Sequence, residues 1–87
     1  MEKQNKKNTK FEPTQKAKVL KIVNARKWQN TYEIIKWGME QYIGDPSRRL
    51  RELKEMGLVV NERVEKKAYV KWTITEKGKV WLKQYKF

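Results

Sequence analysis

The chain has 87 residues, which makes one small domain with a limited core and little room for a buried catalytic pocket. It carries 22 Lys plus Arg against 10 Asp plus Glu, a net charge of +12, so polyanions are the expected partners: DNA, RNA or an acidic membrane surface. There is no cysteine and no histidine, which excludes disulfides and thiolate metal sites and removes the usual zinc ligand and general base; neither an enzyme nor a bound cofactor is expected. No apolar run approaches the roughly 18 to 20 residues a bilayer span needs, and the polar N-terminus is unlike a signal peptide. A soluble cytoplasmic protein is the expectation, nucleoid-associated if the source is a bacterium or an archaeon.

In chain order, residues 1–12 are expected to form a basic flexible tail and residues 13–87 the folded domain. Residues 1–10 hold four lysines and one glutamate, +3, and so leave +9 of the net charge on the rest. From Thr14 onward Ala17, Leu20 and Val23 recur at helical spacing while Lys16, Lys18 and Lys21 face elsewhere, a first helix. Asn30 followed three residues later by Glu33 is a capping-box pattern, so a second helix should begin at Thr31, with Ile34, Ile35 and Trp37 inward. Its end is ambiguous: Gly38 either stops it or sits inside a helix continuing to about Gln41.

Residues 45–57 write a third helix with both ends marked. Asp45 can accept from the first free amides, Pro46 suits the first helical position and Gly57 supplies a left-handed terminator. At about 100° per residue, Leu50, Leu53 and Met56 share the core face and Arg48, Arg51 and Glu55 the opposite one, with Ser47 and Glu52 flanking. Arg49 falls at the margin of the buried stripe, where its alkyl stem can lie on the core. Ser47, Arg48 and Arg51 then form a patch free of acidic side chains, and the glutamates at 52 and 55 would turn the C-terminal half of the helix away from phosphate. The competing account of these arginines is intrahelical pairing, Arg48 with Glu52 and Arg51 with Glu55.

Residues 58–64 and 68–74 alternate as two strands of a hairpin with its tip near residues 65–67. Arg63, Lys66, Lys67 and Lys71 outnumber Glu62 and Glu65 there, which suits contact with sugar and phosphate or, equally, protection of an edge strand. Thr75 is a natural N-cap for a closing helix carrying Val80, Trp81, Leu82 and Tyr85. Trp37, Trp72 and Trp81 are expected in the core. The Trp81/Tyr85 stripe should pack on the first helix, with a self-association or partner surface as the alternative.

The run Ser-Arg-Arg-Leu-Arg-Glu-Leu-Lys-Glu-Met-Gly-Leu-Val-Val at 47–60, followed by Lys-Trp-Thr-Ile-Thr-Glu-Lys-Gly at 71–78, resembles winged helix-turn-helix domains over roughly residues 14–85. Such domains often show Arg-x-Leu-x-x-Leu, then Gly-Leu-Val into the wing and Thr-x-x-Gly after it. The resemblance implies a small α+β domain with a three-helix core, a β-hairpin wing and a C-terminal helix. It makes 46–56 the recognition helix and 58–74 the wing. The function implied is binding of double-stranded DNA in transcriptional or mobile-element regulation. The residues expected at the DNA are Ser47, Arg48, Arg51, Lys54, Arg63, Lys66, Lys67 and Lys71. The segment 38–44 is longer than the usual tight turn of such domains. The alternative is a winged-helix adaptor for protein contacts in a replication, packaging or inhibitory complex, with Trp28 and the Trp81/Tyr85 stripe exposed. A homodimer through that stripe is compatible with either reading.

Overall fold

A computed structural model describes residues 11–64 and 70–87. Four helices and a three-stranded antiparallel sheet follow one another as α1 (Gln15–Asn24), β1 (Gln29–Asn30), α2 (Thr31–Glu40), α3 (Pro46–Glu55), β2 (Val59–Arg63), β3 (Val70–Ile74) and α4 (Glu76–Leu82). The sheet order is β1-β3-β2, so β3 takes the centre. The fold is a small α+β domain. Among the described residues no helix is long and apolar enough to cross a membrane.

Helix α1 is the hub of the packing, in contact with α2, α3, β3 and α4. Its N-cap Thr14 accepts from the Ala17 amide at 3.1 Å through Oγ1. Ala17, Leu20 and Val23 are buried as their spacing requires, and Val19 and Ile22 are buried with them because neighbours cover α1 on more than one side.

The strand β1 has no counterpart in the sequence pattern. It pairs Gln29 with Trp72 and Asn30 with Lys71, two polar residues whose extended backbone is set by β3 alongside. Gln29 is fully buried, and its amide donates to the Ile22 carbonyl. Asn30 also caps α2: its Oδ1 accepts from the Glu33 amide at 2.8 Å, and Glu33 Oε1 accepts from the Asn30 amide at 3.2 Å. The capping box thus joins the sheet edge to α2 without a linker.

Gly38 lies inside α2. An added Cβ there would stand 2.6 Å from Pro46 Cγ, so the missing side chain lets the first turn of α3 close onto α2. The segment after α2 is compact. The Tyr42 amide donates to Met39 O at 3.0 Å and the Ile43 amide to Gly38 O at 2.8 Å, with Tyr42 left-handed at φ 59. This is the paired-bond ending that usually has glycine in the left-handed place, and Ile43 is buried just beyond it. Gly44 then donates to Gln15 Oε1 at 2.8 Å, which fastens the turn to the start of α1.

Helix α3 is bounded as its end signals require. Asp45, itself left-handed at φ 48, accepts from the Arg48 amide at 3.3 Å. At the other end Gly57 has φ 78, and the Leu58 amide donates to Leu53 O at 3.0 Å. Leu50 and Leu53 are fully buried and Met56 partly so. Each such leucine contributes about 1.5 to 3 kcal/mol by leaving water, and together they fix which side of α3 faces out.

Strands β2 and β3 pair from Val59 with Ile74 to Arg63 with Val70, within the expected spans 58–64 and 68–74, of which residues 68 and 69 lie outside the described residues. The hairpin tip, with Lys66 and Lys67, lies outside the described residues. Trp72 is buried and donates from Nε1 to Thr31 Oγ1 at 2.7 Å, while Trp37 and Trp81 are partly buried against the core. Thr75 caps α4 by accepting from the Gly78 amide at 2.9 Å, and its own amide donates to Leu58 O at 3.0 Å. Phe11 and Glu12, which fall in the expected tail, pair with the C-terminal segment. The Phe11 amide donates to Gln84 O at 2.8 Å, the Lys86 amide to Phe11 O at 3.0 Å, and Lys86 Nζ lies 2.8 Å from Glu12.

Candidate nucleic-acid interface

The outward face of α3 carries Arg48, Arg51, Lys54 and Glu55, all exposed, with Ser47, Arg49 and Glu52 half-buried at its sides. Glu52 organises the first half of this surface. Its Oε1 takes Arg49 Nη1 at 2.7 Å and lies 4.0 Å from Lys16 Nζ of α1, while its Oε2 stands 3.6 Å from Arg48 Nε. Three cations from two helices thus share one carboxylate. Arg49 lies at the edge of the core as the wheel places it, and its Nε is buried without a hydrogen-bond partner.

The patch of Ser47, Arg48 and Arg51 is not free of acidic side chains, contrary to the expectation. Arg48 and Arg51 line a shallow hollow of about 260 Å³ together with Glu52 and Glu55. The reason is the helical repeat: residues four apart stack on one side, so each glutamate sits one turn below an arginine. The two pairs still differ. Arg48 is held by Glu52, as the competing account has it, whereas Arg51 forms no ion pair with any described residue, so the Arg51–Glu55 pair of that account is not made. Ser47 does not point free either, because its Oγ donates to Asp45 Oδ1 at 3.3 Å.

In the hairpin, Arg63 is exposed at the end of β2 and makes no ion pair with a described residue. Lys71 is half-buried, 3.7 Å from Glu62 across the ladder and 5.7 Å from the centre of the Trp28 ring. The expected residues therefore fall into two groups, Ser47, Arg48, Arg51 and Lys54 on α3 and Arg63 and Lys71 on the hairpin. Lys66 and Lys67 lie outside the described residues. Glu52, which the sequence places at the flank of this face as a partner for Arg48, and Lys16 complete the α3 surface. Lys16 was not singled out from sequence as part of it, because its approach exists only through α1–α3 packing.

The aromatic residues sort differently. Trp28 is 39% exposed, while Trp81 and Tyr85 are half-buried and lie 5.1 Å apart between ring centres. Phe11 and Phe87 flank Tyr85 at 6.3 and 6.5 Å, so the expected stripe is largely occupied by the chain's own ends. The exposed large apolar residues include Tyr32 and Met39 on α2, and Tyr42 just after it.

No family model, curated protein or solved structure matches this chain.

Proposed function

We propose that the chain is a winged helix-turn-helix protein that binds double-stranded DNA, as a small transcriptional or mobile-element regulator. Helix α3 enters the major groove, and the hairpin at 58–74 lies along the neighbouring backbone. The order of helices and strands, the three-stranded sheet and the net charge support this reading. The observation that carries it is Arg51: a guanidinium exposed on the outer face of α3, with no ion pair to another described residue, beside a second arginine. Arginine in that place can take guanine O6 and N7 as a fork without first breaking a bond within the protein. Arg48 must exchange Glu52 for a phosphate or a base, and it serves orientation more than selectivity. Arg63, Lys66, Lys67 and Lys71 supply phosphate contacts from the wing.

The chemistry is binding alone. Selection from a pool of random duplexes at near-physiological salt, with random competitor present, should enrich a short motif. Enrichment of none, with duplex still bound, would reduce the reading to DNA binding without sequence preference. No duplex binding at low salt would refute it.

A further inference from the structure

The DNA reading uses the outer face of α3 and the hairpin, yet a second group of cations stands elsewhere. Lys16 of α1 turns toward α3, whereas Lys18 and Lys21 line a groove between α1, the end of α2 and the C-terminal segment. Two hollows make up this groove, of about 280 and 430 Å³, and Lys21 and Phe87 line both. The floor is apolar. Ile22, Ala25 and Trp37 line the first hollow and Leu82 the second, while Lys79 and Lys83 of the α4 region complete the rim. Lys21 Nζ lies 4.4 Å from the centre of the Phe87 ring, which holds the cation over the apolar surface. Among the described residues no acidic side chain lines either hollow, although Glu76 lies 3.5 Å from Lys79.

We infer that this groove is a docking site for an acidic amphipathic segment of a partner protein. Charge and floor together select the occupant. A duplex would satisfy the lysines but keeps its bases paired and stacked inside, with nothing to place on Leu82, Trp37 and Phe87. A single strand can stack bases on the two rings but has no aliphatic side chain for Leu82, and the test includes it. An uncharged apolar segment would leave Lys18, Lys21 and Lys83 unanswered at the rim. A helix with leucine or aromatic side chains on one face and carboxylates along its borders answers both, the anchors entering the two hollows and the carboxylates meeting Lys18, Lys21, Lys79 and Lys83. The chain's own tail does not fit, because residues 1–10 carry four lysines against one glutamate and share the sign of the rim. A second copy is disfavoured for the same reason, since each copy bears +12. The groove is independent of the DNA reading and would stand if that reading failed.

The test uses the full chain and a fluorescently labelled acidic peptide whose leucines and one tryptophan fall on a single helical face. A scrambled peptide of equal composition and charge is the comparison. The amphipathic peptide should bind at least about tenfold tighter than the scrambled one, and the exposed-site variant Lys21→Glu/Lys83→Glu should lose about tenfold or more. The variant Lys36→Glu/Lys77→Glu, with the same change in net charge outside the groove, should keep most of the affinity. Equal binding of the two peptides, or equal loss in the two variants, overturns the inference, because attraction would then be only a matter of net charge. Displacement of the peptide by a short random duplex or single strand also overturns it, as does sedimentation of the chain alone as a dimer that the peptide dissociates.

Discussion

Two basic surfaces of this domain carry the same sign of charge and differ in what lies beneath it. On α3, Arg48 and Arg51 stand among polar neighbours and carboxylates, while Leu50 and Leu53 on the opposite side of the helix are fully buried. In the α1–α4 groove, lysines border exposed or half-buried Phe87 and Trp37 and the edge of Leu82. The lesson is that net charge names a class of partners but the floor selects among them. A polar, arginine-bearing helix face suits base edges and phosphates, and a lysine rim around apolar hollows suits an acidic segment with side chains to bury.

The surfaces also differ in how their cations are held. On α3 a shared carboxylate restrains Arg48 and Arg49 and leaves Arg51 unrestrained. In the groove an aromatic ring holds Lys21. A cation held by a carboxylate must give up that bond to meet an anion, whereas one resting on a ring gives up little.

Substitutions can separate the two. The largest effect is expected from Arg51→Ala, which should weaken a selected duplex by about 1 to 3 kcal/mol and random duplex by less, with acidic-peptide binding unchanged. Titrations of both duplexes decide this, and equal losses would remove base reading by Arg51. Next is Glu52→Gln, which releases Arg48 toward phosphate. It should raise affinity for random duplex by about three- to tenfold and so narrow the gap between selected and random sites. Because Arg49, Arg48 and Glu52 are all partly exposed, the accompanying loss of stability in a urea titration should stay at about 1 kcal/mol or less. An unchanged affinity would mean that Glu52 does not restrain Arg48.

A smaller effect is expected from Arg63→Ala, which should weaken all duplexes alike and lower the slope of log K against log salt by about one. The slope measured over a salt series is the check, and an unaltered slope would take the end of β2 out of the interface. Smallest is Tyr42→Gly. Tyrosine in the left-handed region is strained while glycine is not, so thermal unfolding should show a gain of about 0.5 to 1 kcal/mol. Neither DNA nor peptide affinity should change, which would separate the stability of the α2–α3 turn from the chemistry of both surfaces.

Local signals were sufficient for most of the elements. Asn30, Asp45 and Thr75 each cap the helix they precede, because a cap is a bond between a side chain and an amide two or three residues away; Thr14, read only as the start of the first periodic run, does the same for α1. The inward face of α3 followed from its period for the same reason. The strand β1 was not legible, since Gln29 and Asn30 are extended only because β3 lies beside them. Nor was the status of Gly38, whose place inside α2 depends on Pro46 eight residues later.

The candidate interface divides along the same line. The sequence by itself determined that the domain is basic, which arginines share the exposed face of α3 and that Arg49 belongs to its margin, because these follow from charge counts and a fixed helical repeat. Only the tertiary structure decided that Glu52 binds Arg48, Arg49 and Lys16 together, that Arg51 stays unpaired among the described residues, and that four lysines surround one apolar groove. These are meetings between side chains on different helices, or choices between neighbours of equal spacing. Their outcome depends on the distances that packing sets.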